Sequence, residues 1–179
     1  MLMIRVAYIL IACSLSIMLC GCPYSSPYKL DDEPTIYVED ALLGNWEAMV
    51  KKAGNDKEEP VRLTLSKKND TEYFISFSGE INELRPFNIL AADSLSGTAF
   101  MSTVDGNQFL NISIKAQTYI AELKLKDGKL SLLPLVEHFT SKLVRNNAAL
   151  RNCVSFHYKM RVHPLVDDDF CLKDMVKLD

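Results

Sequence analysis

Apolar side chains recur at every second position in four segments of the chain, residues 61–65, 73–77, 110–114 and 121–125, and the residues between them are polar except for Phe74. A period of two is typical of a β-strand that buries one face and exposes the other. Further strands are predicted at residues 46–50 and 170–178. The pattern as a whole predicts a mainly β protein.

Turn signals separate these segments. Asp105-Gly106 and Asp127-Gly128 are dipeptides typical of tight hairpins, because glycine tolerates the positive φ that such turns need. Residues 93–97, rich in serine, are predicted to be a loop between strands. Strands joined by hairpins form antiparallel sheets, and we expect an antiparallel barrel or closed sheet of about 8–10 strands, with a sandwich as the alternative.

One segment departs from the period of two. Between residues 136 and 150 the apolar residues recur mostly at spacings of three and four, as they do along one face of an α-helix. These residues are Val136, Phe139, Leu143, Ala148 and Leu150. We predict a helix near residues 136–150 that covers one side or one mouth of the sheet. Residues 156–162 alternate again and are predicted to be extended.

A Gly-x-Trp motif stands at the entry to the first predicted strand, in the sequence Leu-Leu-Gly-Asn-Trp of residues 42–46. It resembles the start of lipocalin-type barrels, in which the tryptophan closes one end. The resemblance implies a lipocalin-like barrel, structural roles for Gly44 and Trp46, and an arginine packed over the indole ring. Arg151 and Arg161 are both candidates for that arginine. Lipocalins carry their main helix after the eighth strand, whereas here one or two strands are predicted to follow the helix.

The N-terminal residues 1–21 have the layout of an export signal. Arg5 precedes an apolar run that ends at residue 20 and is too short for a transmembrane helix. The run leads into Leu-Cys-Gly-Cys at residues 19–22, which resembles the bacterial lipobox. The resemblance implies cleavage before Cys22 and attachment of a diacylglycerol to its sulfur. The alternative is an ordinary signal peptide that is followed by chance by a Gly-Cys pair.

The remaining chain divides into a predicted flexible tether, residues 22–40, and a single β-rich domain, residues 41–179. Proline, serine and acidic residues are frequent in the tether. The whole chain has 20 Lys and Arg against 23 Asp and Glu, a net charge of −3. A mildly acidic chain without basic clusters argues against nucleic acid as a partner. The resemblance to lipoproteins implies the membrane as a partner and a place in the cell envelope, at the outer membrane if the host is Gram-negative.

Two cysteines, Cys153 and Cys171, remain besides Cys22. An even pair in an exported protein predicts a disulfide, because disulfides persist in oxidising compartments. The alternative is two buried free thiols, since cysteine often serves as a small core residue.

No arrangement of reactive side chains predicts catalysis. His138, His157 and His163 lack the spacing of a zinc site, and Asp167–169 lack the spaced ligands of a calcium loop. Cys153 and His157 would share a face only if the helix extended beyond residue 150. We therefore expect a protein that is not an enzyme and that needs no metal and no cofactor.

Aromatic residues in and near the strands are the candidate ligand contacts. They are Tyr73, Phe77, Phe100, Phe109 and Tyr119. In a closed barrel one face of each strand lines the interior, and these rings could surround an apolar molecule or fill the space themselves. Two functions are consistent with the sequence. The first is binding of a lipid or other apolar ligand, and the second is an accessory or structural role through contact with an envelope protein.

Overall fold

The alternating segments form strands of one antiparallel sheet. The computed structural model describes residues 24–51, 58–79, 94–136, 139–140, 143–160 and 172–178. The strands are β1 (Ser25–Ser26), β2 (Gly44–Lys51), β3 (Glu58–Lys67), β4 (Glu72–Gly79), β5 (Ser94–Val104), β6 (Asn107–Ile114), β7 (Gln117–Lys126), β8 (Lys129–Pro134) and β9 (Leu172–Leu178). The described helices are a 3₁₀ helix at Asp40–Leu42 and one α-helix, α1, at Asn147–Met160.

Eight of these strands close into a barrel. Each strand from β2 to β8 pairs antiparallel with the next strand along the chain, and β9 pairs with both β8 and β2. The short strand β1 adds to β7. The predicted mainly β fold and the antiparallel barrel are therefore confirmed, and the sandwich is not observed.

The barrel buries the apolar side of each alternating segment. Cross-strand partners on the inner face continue one another around the wall, as in the series Trp46, Leu63, Phe77 and Leu95 on β2 to β5. Such directly opposed side chains are the contacts that stabilise a sheet. The other inner residues of the predicted segments are Val61, Leu65, Tyr73, Ile75, Leu110, Ile112, Ile114, Ala121 and Leu123.

Strand β5 corrects the prediction of a loop at residues 93–97. Ser94 to Gly97 belong to the strand and pair with β4. Leu95, Ala99 and Met101 point inward. The alternation is weak in the sequence because Gly97 and Ala99 occupy inner positions, where a hydrophobicity pattern shows little contrast.

The two predicted hairpin turns are confirmed. Asp105 and Gly106 have φ of 49° and 83°, and Asp127 and Gly128 have φ of 52° and 75°. Positive φ at both central residues is the conformation whose twist matches the flanking strands. The turns join β5 to β6 and β7 to β8 with two residues each.

The helix lies further along the chain than the pattern predicted. Its start is fixed by Asn146, whose side-chain oxygen accepts a hydrogen bond of 2.7 Å from the backbone N–H of Ala149. This is an N-cap, which satisfies one of the free N–H groups of the first turn. The prediction of a helix near residues 136–150 is therefore wrong in position, and the extended interpretation of residues 156–162 is wrong up to Met160.

α1 packs on the outside of the barrel. Its buried residues Leu150, Cys153, Val154 and His157 follow the spacing of one helical face. The first three of these residues belong to an outer cluster against β5 to β7. The outer cluster consists of Leu30, Val104, Phe109, Ile120, Leu135, Phe139, Leu150, Cys153 and Val154.

The segment predicted to be a flexible tether is instead packed against the barrel over residues 24–40. Leu30 is 1% exposed in the outer cluster. Its backbone N–H donates to Asn111 Oδ1 at 2.7 Å. The proline- and serine-rich composition indicated a tether, but Tyr24, Tyr28 and Leu30 provide apolar anchors within it. Residues 22 and 23 lie outside the described residues.

Within the described residues, no helix combines the length and the apolar character needed to cross a bilayer.

Candidate functional site

The two ends of the barrel differ. At the end where β2 begins, the hairpins β3–β4, β5–β6 and β7–β8 turn tightly, and we call this the Trp46 end. At the opposite end, which we call the loop end, residues 52–57 separate β2 from β3, residues 80–93 separate β4 from β5, and residues 161–171 precede β9. β6 and β7 are joined at this end by a turn of two residues. The described hairpins of the Trp46 end are therefore all short, whereas the loop end combines one short turn with longer stretches of sequence that lie outside the described residues.

Trp46 closes the Trp46 end. Its ring is 1% exposed, and its indole N–H donates to the carbonyl of Leu42 at 2.9 Å. The 3₁₀ helix brings Leu42 into the inner cluster beside it. The hydrogen bond satisfies the one polar atom of the indole, so the large ring can be buried without an unpaired donor.

A cation lies over the Trp46 ring, as the lipocalin resemblance implies, but it is not an arginine. The ammonium of Lys177 on β9 lies 5.4 Å from the ring centroid, within the range of a cation–π contact. Arg151 lies on the outer surface, where it pairs with Asp31 at 2.7 Å and donates to the carbonyl of Thr103. Arg161, the other candidate, lies outside the described residues.

Gly44 makes room for this arrangement. A Cβ at this position would lie 2.8 Å from Cε of Lys177, and the backbone φ of +128° is one that side chains disfavour. The Gly-x-Trp motif therefore has a local physical basis. The absence of a side chain at Gly44 leaves room for the methylene groups of Lys177, and the ring of Trp46 contacts the Lys177 ammonium.

Three of the five candidate aromatics face the interior. Tyr73 lies towards the Trp46 end, where its hydroxyl accepts from the backbone N–H of Glu39 at 2.9 Å and contacts Met101 Sδ at 3.3 Å. Phe77 and Tyr119 are close to the loop end of their strands. Burial raises the pKa of Tyr73 and of Tyr119.

The other two aromatics, Phe100 and Phe109, lie on the outer wall and not in the interior. Phe109 belongs to the outer cluster and meets the ring of Tyr158 edge-on at 5.7 Å. Phe100 is covered from outside, with the ammonium of Lys29 at 5.5 Å from its ring. The sequence could not separate the two sets, because the outer wall of β5 to β7 is buried beneath α1 and the N-terminal segment.

The interior is lined by apolar groups. Its inner cluster contains aliphatic side chains, methionine and rings, with the tyrosine hydroxyls as polar atoms. The buried polar residues of the described chain lie elsewhere: Ser26, Ser102, Asn111, Thr118, Glu122 and His157.

The polar contacts of the outer wall were not predicted from the sequence. Asn111 joins three segments: its oxygen accepts from Leu30, and its amide donates to Ser102 Oγ at 2.8 Å. Glu122 is 3% exposed and pairs with Lys124 at 3.0 Å. Burial and the hydrogen bond to Glu122 raise the pKa of Tyr158 far above its usual range. The signal in the sequence was an outer face that mixes apolar and polar residues, with Phe109 next to Asn111 along β6 and Ile120 next to Glu122 along β7.

The predicted disulfide is not observed. Cys153 is a buried free thiol that accepts from Thr140 Oγ1 at 3.6 Å. Cys171 lies outside the described residues. Cys153 and His157 do share the buried face of α1, which packs against the barrel wall.

Several predictions fall outside the described residues: the signal at residues 1–21, the lipidation residue Cys22, His138, His163 and Asp167–169. Within the part of the chain that the structure describes, no group of three metal-ligating side chains converges.

Comparison of the chain with protein-family models, curated proteins and solved structures gives no match. The function is therefore inferred from the geometry of the barrel and from the sequence itself.

Proposed function

We propose that the protein is a lipid-anchored envelope lipoprotein whose barrel binds a lipid or another apolar molecule. The observation that supports binding most strongly is the asymmetry of the barrel. One end of the apolar interior is closed by Trp46 beneath Lys177, while the strands that meet at the loop end are separated by longer stretches of sequence, except for the two-residue turn between β6 and β7. The lipobox-like sequence that ends at Cys22 supports the anchor.

The chemistry of the interior favours an apolar ligand. A charged or heavily hydroxylated molecule would lose its hydration there and find few hydrogen-bond partners, at a cost of several kcal/mol. A hydrocarbon chain would exchange water for the side chains of Phe77, Leu95 and Tyr119. The described interior side chains are packed together, so we expect a ligand to enter from the loop end and to shift them.

Ala48 is the position at which this proposal can be tested. It lies on the inner face of β2 near the loop end, opposite Val61. A larger side chain there would occupy space between the strands that a ligand needs, while Trp46 and its closure at the far end stay unchanged.

The test is a titration of the purified protein with a fluorescent polyunsaturated fatty acid. We expect the parent to bind, and Ala48→Leu to bind at least about tenfold more weakly, which corresponds to about 1.4 kcal/mol. Phe74→Ala is the matched control, because Phe74 is on the outer face of β4 and half exposed. Its affinity should equal that of the parent.

Urea unfolding of both variants provides the check on folding. Equal affinity of Ala48→Leu and the parent would place binding outside the barrel. A parent that binds no fatty acid would overturn the binding role and favour the accessory role through protein contact.

A further inference from the structure

The first described residues of the chain are fixed to the barrel wall. Ser25 and Ser26 pair with Tyr119 and Thr118 of β7. The backbone N–H of Tyr24 donates to the carbonyl of Leu135 at 2.7 Å. The chain therefore has no free spacer after residue 24.

Covalent geometry limits how far Cys22 can lie from this wall. Each residue spans at most about 3.6 Å, so Cys22 is within about 7 Å of Tyr24 in any conformation. A diacylglycerol on Cys22, which is part of the proposed function, would bring the bilayer surface to the same side of the barrel.

Aromatic rings connect this attachment point to the exposed surface of α1. Tyr24 meets Phe139 with ring centroids 4.9 Å apart, and Phe139 meets His157 at 5.8 Å. Phe156 then lies 5.6 Å from His157. The series leads from the buried outer cluster to a ring at the surface.

Two large apolar side chains are exposed at the end of this series. Phe156 is 45% exposed and Met160 is 55% exposed. They are four residues apart on α1, so their side chains lie next to each other on the helix. Lys159 adds a long side chain whose ammonium pairs with Asp105 at 3.3 Å.

We propose that the face of α1 formed by Phe156 and Met160 rests in the membrane interface beside the lipid anchor. This inference depends on lipid attachment at Cys22. An aromatic and a thioether side chain gain by leaving water at the level of the headgroups, as amphipathic helices do at membrane surfaces. The short link from Cys22 gives the face a high effective concentration at the bilayer. The barrel therefore lies with one wall against the membrane.

The experiment uses the full lipidated protein, reconstituted in vesicles of phosphatidylethanolamine and phosphatidylglycerol that contain a brominated phosphatidylcholine. Bromine on the acyl chains quenches only nearby indoles. The probe is Phe156→Trp, and the matched control is Phe74→Trp, an exposed position outside the ring series. The parent gives the background of Trp46, the single native tryptophan.

We expect Phe156→Trp to be quenched at least about twofold more than the parent, as for a ring buried at the acyl boundary. Phe74→Trp should match the parent. Insertion of about twelve Gly and Ser residues after Pro23 should lower the quenching of Phe156→Trp, because a flexible link reduces the effective concentration.

Equal quenching of the two tryptophan variants, in protein that floats with the vesicles, would overturn the inference and leave the anchor intact. Unchanged quenching with the inserted link would overturn the role of the short attachment. Cys22→Ser, which lacks the sulfur that would carry the lipid, should not float with the vesicles. If the parent also failed to float, the anchor and this inference would both be wrong. The fatty-acid titration would still decide the binding role of the barrel independently.

Discussion

At the scale of single residues, the closure of the Trp46 end depends on a small set of contacts. Because Gly44 has no side chain, Lys177 can reach the ring of Trp46. The sequence motif drew attention to Gly44 and Trp46, both of which the structure places at this end of the barrel. It could not predict Lys177, because that residue reaches the ring only after β9 pairs with β2.

The first prediction concerns Gly44. Gly44→Ala should lower the free energy of unfolding by about 1–3 kcal/mol. The φ of this position is unfavourable for a residue that has a Cβ, and the new Cβ would displace Lys177 from the ring. Gly106→Ala is the control. Its φ is also positive, but its Cβ would meet nothing within 4 Å. Urea denaturation should show the larger loss for Gly44→Ala, and equal losses would contradict the role assigned to Lys177.

At the scale of elements, the strands were more predictable than the helix. A period of two is unambiguous when large apolar residues alternate with polar ones, as in β3 and β4. The helix was misplaced because apolar residues before it, such as Phe139 and Val144, pack in the outer cluster without forming a helix. The decisive signal was the cap at Asn146, followed by the buried positions Leu150 and Cys153.

The second prediction tests this cap. Asn146→Ala should destabilise the protein by about 1 kcal/mol, because the N–H of Ala149 loses its acceptor. Asn152→Ala is the control within the same helix. Asn152 is exposed, and alanine is the better helix former, so no loss is expected there. Equal losses in urea denaturation for the two variants would show that the side chain of Asn146 does not set the helix start.

At the scale of the whole molecule, a closed antiparallel sheet could be predicted from the sequence, but the strand pairs that close it could not. The sequence indicated a last strand, yet its two partners β2 and β8 could not be chosen from local patterns. The position of α1 between the last two barrel strands also distinguishes this chain from the order that the lipocalin resemblance implied. The covered outer wall explains why Phe100 and Phe109 were assigned to the interior.

The third prediction concerns alkaline pH. Burial raises the pKa of Tyr24, Tyr73, Tyr119 and Tyr158. In the unfolded chain these groups ionise near pH 10, so above that pH the unfolded state holds fewer protons than the folded state. The stability that neutral tyrosines provide is complete below about pH 10 and is lost as the pH rises further.

Urea midpoints measured between about pH 8 and pH 11 should therefore fall at the alkaline end. Tyr158→Phe should flatten this fall, and Tyr37→Phe, at an exposed ring, should leave it as in the parent. A midpoint that stays constant across the range would contradict the burial of these hydroxyls.

The central claim is that the barrel interior is a site for an apolar molecule. Native mass spectrometry of the protein purified gently from its host tests it most directly, when followed by solvent extraction. We predict a reproducible added mass beyond the covalent lipid, which extraction removes as an apolar compound and which is reduced in Ala48→Leu. A mass that equals the lipidated chain alone, in protein that also fails to take up fatty acid, would contradict the claim.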